Sequence, residues 1–231
     1  WSSDVCSSDL VGDFIEEDLL ALIKKYFKFR KIKKKKVPFE IENQPVRKRR
    51  LIAKEKMDAT QSKLGIACPI GKLKPYEKNY PLVLGNIIYG GGTDSKLFQE
   101  VREKNSLCYT IYSSSSKLDN MMIITAGIDK MNFEKTVELS TNILENMKKG
   151  KFSEKDIKIA KELYNTSIMS IEENPMNLIR EYLTEEMMGI EPYTERTSIM
   201  NKVSKKEIIR VFKKIKMDTI FLLEGDKDED N

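Results

Sequence analysis

The chain has 231 residues, with 41 Lys and Arg against 36 Asp and Glu, a net charge of +5, and no histidine. That length is ample for a real core in one large domain or two small ones. The absence of histidine excludes an imidazole base or a histidine-bound zinc supplied by this chain alone. No apolar run approaches the roughly 18 to 20 residues that span a bilayer as a helix, and no secretory signal is visible, so a soluble, cytoplasmic protein with no membrane partner is expected.

Residues 1–10, WSSDVCSSDL, do not match the Lys/Ile-rich remainder and read as a non-native leader. The native sequence is then expected to begin mid-protein near Val11, as a piece lacking its N-terminal portion. From Asp13 to Phe29 the spacing of Leu19, Leu20, Ile23 and Phe27 predicts an amphipathic helix, with Asp13 as its cap and Glu16 three residues on. Periodicity vanishes over 30–48, which holds Lys33 to Lys36, Pro38 and Pro45 and reads as an extended linker. No aromatic residue interleaves with the lysine run to stack bases, so a solvated linker is the reading and no nucleic-acid partner is expected.

The main domain is expected over 49–225. Leu51 to Lys56 and Ser62 to Cys68 read as strands around a polar turn at Asp58 and Ala59. Tyr76 to Tyr89 reads as an apolar helix and Asp94 to Lys104 as a charged one. Leu107 to Tyr112 and Met121 to Ile128 read as a hairpin with Asp119 and Asn120 near its tip, Leu107, Tyr109 and Ile111 facing one way and Cys108, Thr110 and Tyr112 the other. A helix capped by Asn132 runs to Lys149, with Gly150 as its C′ residue. Ser153 with Asp156 and Ser204 with Glu207 mark two further helix starts, and Pro175 suits the first turn of another. Thr219 to Leu223 is a last strand, and residues 226–231 are an acidic, frayed tail. These elements form an α+β domain with a mostly antiparallel sheet and helices on one face.

Cys6 lies in the leader; Cys68 and Cys108 are isolated, make no CxxC and read as buried thiols of a reduced compartment. With no cysteine cluster and no histidine, no metal ligand set is expected. Gly90, Gly91 and Gly92 lack the lysine of a P-loop and the spacing of a dinucleotide fingerprint. They more plainly allow a tight helix–helix connection or close approach of another backbone. Arg102 on the charged helix and Tyr109 on the following strand are each readable as ordinary residues, a surface arginine and a half-buried aromatic. As a pair they matter only if both reach one cleft.

The run from residue 89 to 113, YGGGTDSKLFQEVREKNSLCYTIYS, resembles the string LGGGxxSxLFQEVREKxGLxYSxYS of the pitrilysin/insulinase zinc peptidases. The likeness extends over 11–225: Val11-Gly12-Asp13 and the helix ending Lys25-Tyr26-Phe27 resemble the close of that family's N-terminal half, and the strand near Gly225 the close of its C-terminal half. The resemblance implies a half-clamshell. One half carries the zinc motif HxxEH, and the other supplies an Arg and a Tyr to peptide substrate across the cleft. Here Arg102 and Tyr109 stand at that pair's spacing and would hydrogen-bond the substrate and its developing oxyanion. Zinc would come only from a missing half or from a homologous zinc-bearing partner subunit. Within the family, Gln61-Ser62-Lys63-Leu64-Gly65 and Asn105-Ser106-Leu107 resemble the Firmicutes proteins associated with aminopentanol modification of elongation factor P. The expectation is a non-catalytic, substrate-binding half of a zinc endopeptidase, with a peptidase-inactive scaffold subunit as the alternative.

Overall fold

The computed structural model describes residues 10–28 and 46–225. Most of the expected linker, the leader up to residue 9 and the acidic tail lie outside the described residues. The first helix, α1 (Glu16–Tyr26), is shorter than its expected range and buries none of its residues. Ile15, not Asp13, stands at its N-cap, and no side chain caps it.

Five strands form one sheet: β1 (Leu51–Met57), β2 (Ser62–Pro69), β3 (Cys108–Ser116), β4 (Met121–Ile128) and β5 (Thr219–Gly225), in the order β1-β5-β2-β4-β3. β2–β4, β2–β5 and β3–β4 are antiparallel, and β1–β5 is parallel. The last strand of the chain thus inserts between the first two. Local alternation cannot encode that placement, because a polar turn between two strands is equally compatible with a third strand lying between them. Leu64, Ile66, Cys68, Met122, Ile124, Ala126, Ile220 and Leu222 are buried on one face. Their alternate neighbours Lys63, Ile123 and Phe221 are exposed, so the helices cover one side of the sheet only.

The apolar helix expected over 76–89 is two helices, α2 (Pro75–Asn79) and α3 (Pro81–Gly90). Pro81 has no N–H and forces the preceding residue out of helical geometry, and Tyr80 accordingly has φ −124° and ψ −70°. α3 lies in the core with Leu82, Leu84, Ile88 and Tyr89 buried; Tyr89 meets Phe212 edge-on at 6.1 Å, and its hydroxyl donates to the Ser140 carbonyl at 3.0 Å. α2 is tied down by Glu77, a buried carboxylate that accepts the Lys74 N–H at 2.8 Å and faces Arg210 Nε at 3.1 Å.

The remaining helices are α4 (Phe133–Lys148), α5 (Glu154–Met169), α6 (Pro175–Met188), α7 (Tyr193–Asn201) and α8 (Lys205–Phe212). The Ser153–Asp156 and Ser204–Glu207 capping boxes both form, and Pro175 opens α6. Gly150 follows α4 at φ 73°. Asn132 stands before α4, but its side chain makes no cap bond, because a 3-10 turn, Lys130–Asn132, precedes the helix and gives Asn132 helical backbone angles. α6 buries none of its residues. It is held largely by Arg196 of α7, whose guanidinium reaches Glu181 at 2.6 Å and Glu185 at 2.9 Å and whose Nε donates to the Glu191 carbonyl.

Candidate functional site

The charged helix expected over 94–104 is instead a short helical start that widens into a π-turn, Phe98–Glu103. The Lys104 N–H reaches back five residues to the Gln99 carbonyl at 3.1 Å. Such widened turns occur disproportionately at functional sites. Val101 points into the core and Arg102 outward. The turn closes at Ser106, which has φ 50°, with the Ser106 N–H on the Arg102 carbonyl at 2.9 Å and the Leu107 N–H on the Val101 carbonyl at 3.1 Å. Arg102 itself lies over the Phe98 ring at 4.7 Å. Glu100 is taken by Lys104, and among the described residues no carboxylate forms an ion pair with Arg102. Among the described residues, its donors are therefore open to an acceptor.

Tyr109 departs from the expected alternation. Cys108 pairs with Ile128 and Thr110 with Gly127, so Tyr109 is the extra residue of a β-bulge on the edge strand β3. Cys108 and Ile111 are buried while Tyr109 is 49% exposed, so Tyr109 does not share the face of Ile111 as expected. A bulge re-aims a side chain in just this way. Its phenol donates to Asp129 Oδ1 at 3.4 Å.

Arg102, Glu103, Ser106, Leu107, Cys108, Tyr109 and Asp129 line one open cleft of about 550 Å³. The two residues that the resemblance singles out thus share a cavity. The glycines do not line it. Gly90 packs against β3, where an added Cβ would sit 2.8 Å from the Ser113 nitrogen, whereas Gly92 borders open space. Cys108 is no nucleophile: burial pushes its thiol up to about 11, against the pull of Arg102, so it stays protonated at neutral pH. Asp129 and Glu103 were not foreseen as cleft residues. Asp129 was legible in principle, since it directly follows the β4 run and a hairpin sets the end of one strand beside the start of the other. Among the described residues no group of three His, Cys, Asp or Glu side chains is placed to hold a metal, and no helix is long and apolar enough to cross a membrane.

A helix-backed sheet thus offers a guanidinium and a phenol in one cleft. Residues 4–164 match the family model described as the peptidase M16 inactive domain. The chain belongs to the peptidase M16 family, the group that its sequence resembles. It is 28% identical over 218 residues to "Probable inactive metalloprotease YmfF" of Bacillus subtilis, covering 94% of this chain and 50% of that protein. It is 27% identical over 139 residues to "Uncharacterized zinc protease YmxG" of the same organism, covering 59% of this chain and 34% of that one. The chain therefore spans half or less of these relatives. Among solved structures, a conserved protein from Enterococcus faecalis superposes with a TM-score of 0.80 at 31% identity, over 95% of this chain and 52% of that one. A protease from Helicobacter pylori, at 19% identity, shares the fold with a TM-score of 0.77, over 93% and 54% of the two chains.

Proposed function

We propose that this chain is the substrate-binding, non-catalytic half of an insulinase-type zinc metalloendopeptidase, working in a closed clamshell against a zinc-bearing homologous half or subunit. The observation that carries the reading is that Arg102 and Tyr109, brought together by a π-turn and a bulge, line one cleft with the guanidinium uncommitted to any carboxylate among the described residues. An arginine and a phenol are suited to donate to the backbone of a peptide and to the oxyanion that develops at its scissile carbonyl. Zinc and its activated water would come from the other half. In the assembled enzyme, Arg102→Ala and Tyr109→Phe are each expected to lower turnover on a peptide substrate by roughly ten- to a thousand-fold, with little change in melting temperature. A large fall in melting temperature with unchanged activity per folded molecule would refute it.

A second reading, a peptidase-inactive assembly subunit, is favoured by one finding: the relative matching 94% of this chain is itself named a probable inactive metalloprotease. Under that reading both variants leave the partner's activity unaltered, and only loss of complex formation slows proteolysis.

A further inference from the structure

A second cavity, of about 290 Å³, shares no residue with the Arg102–Tyr109 cleft. It touches the β3–β4 hairpin at its turn, the end opposite Tyr109 and Asp129. Val83, Ile168, Ile171 and Ile190 give it apolar walls, and Lys117 of the hairpin turn lines it together with Asn79, Tyr164 and Glu181. Some of the polar groups around it are committed. Arg196 holds Glu181 and Glu185, and the Tyr80 hydroxyl donates to Glu191 Oε2 at 2.7 Å. Others are open. Among the described residues, the Lys117 ammonium, the Tyr164 hydroxyl and the Asn79 side chain have no hydrogen-bond or ion-pair partner, and Arg196 engages only Oε2 of Glu181. Burial pushes the Lys117 ammonium below its ordinary value; Arg196 adds to the effect, and Glu181 and Glu191 oppose it from beyond ion-pair distance. A partly buried ammonium without a counter-ion is a cost that a bound acceptor would offset. Apolar walls with a few converging polar groups are the general form of a small-ligand site.

Charge and size narrow the ligand. Lys117 and Arg196 face three carboxylates, Glu181, Glu185 and Glu191. A simple anion would add to the excess negative charge, and a simple cation would leave Lys117 unanswered. A zwitterion satisfies both. At the roughly 30 Å³ that a water molecule occupies in the liquid, the cavity admits about ten non-hydrogen atoms. We infer that this cavity binds a free aliphatic α-amino acid, its carboxylate on Lys117 and Tyr164, its ammonium on the open oxygen of Glu181 and its side chain against Ile168 and Ile171. The site stands apart from the substrate-contact reading above and does not rest on it.

The test is titration of L-leucine into the ¹⁵N-labelled chain, followed by amide shifts. Signals over 164–171 and 190–196 should move and saturate with a Kd of about 1 mM or tighter. Leucinamide, which lacks the carboxylate, and 4-methylpentanoate, which lacks the ammonium, should each bind at least about tenfold more weakly. Lys117→Gln should weaken leucine by a similar factor without lowering the melting temperature, since it removes a charge that has no ion-pair partner. Three results would overturn the inference: no saturable shift up to about 10 mM leucine, 4-methylpentanoate binding as well as leucine, or a folded Lys117→Gln chain binding leucine like the wild type.

Discussion

Gly90 and Gly92 belong to one run in the sequence, yet the structure sets them in opposite surroundings, and alanine at each should separate them. At Gly90 an added Cβ would lie 2.8 Å from the Ser113 nitrogen and 2.8 Å from Leu97 Cδ1, and closer still to the Ser113 hydroxyl. The leucine tip can move. The strand cannot do so cheaply, because Asn86 grips Ser113 twice: its amide donates to the Ser113 carbonyl at 3.1 Å, and the Ser113 hydroxyl donates back at 2.8 Å. Overpacking of this kind costs about 1–3 kcal/mol, offset by the roughly 0.5–1 kcal/mol that alanine gains over glycine in a helix. With Ser113 held in place the overpacking cost lies in the upper part of that range, about 2–3 kcal/mol, and the net loss of about 1–2.5 kcal/mol corresponds to a melting temperature about 2–10 °C lower for a domain of this size. Around Gly92 no atom lies within 4 Å of the added methyl, and its φ is not in the left-handed region. Gly92→Ala should therefore stay within about 0.5 kcal/mol of the wild type. Thermal and denaturant unfolding of the two variants side by side measures this. A Gly90→Ala protein melting within 1 °C (roughly the error of such a scan) of the wild type, or a Gly92→Ala protein that is the less stable of the two, would show that α3 does not seat on β3 as described.

Further outcomes follow from the ionic contacts and from the turn at Ser106. Four carboxylates are held below their ordinary values: Glu77 by the Lys74 N–H foremost, and Asp218, Asp156 and Glu207 because their hydrogen bonds and cationic neighbours outweigh the burial that pushes each up. A lowered folded-state value means that the unfolded chain binds protons first on acidification. The stabilisation is thus complete above about pH 5 and is lost as the pH falls through the lowered values, and acid unfolding should show proton uptake; denaturant midpoints equal at pH 6 and pH 3 would contradict this. Arg196→Ala should cost about 2–4 kcal/mol, since it takes the ion pair from Glu181, leaves Glu185 with the Tyr193 N–H and loosens α6, and hydrogen exchange should rise over 175–188 before it rises in the sheet. Ser106→Gly should raise stability by about 0.5 kcal/mol, because serine at φ 50° pays a left-handed penalty that glycine does not; a lower melting temperature would refute that.

The sequence by itself determined the elements whose signals are local. Capping boxes at Ser153 and Ser204, the proline start of α6, the glycine after α4, the β3–β4 hairpin and the α+β class all depend on residues within a few positions of one another. Arg102 and Tyr109 stand out only through the resemblance of the run 89–113 to a family string; their own patterns read as an ordinary surface arginine and a half-buried aromatic. Pro81 is a local signal too: its missing N–H splits α2 from α3. Tertiary structure alone decided what depends on distant partners. The insertion of β5 between β1 and β2 pairs residues more than 150 positions apart, which no periodicity records. The unequal surroundings of Gly90 and Gly92 depend on where β3 passes. The bulge at Tyr109 arises only when β3 meets the register of β4, and the π-turn at Arg102, with Val101 buried, departs from the regular helix that the charge pattern predicts. Both departures from regular geometry fall at the cleft. Sequence pattern encodes regular period and the resemblance named two side chains, while the irregular backbone that aims them, and the Asp129 carboxylate beside them, required the strands to be paired.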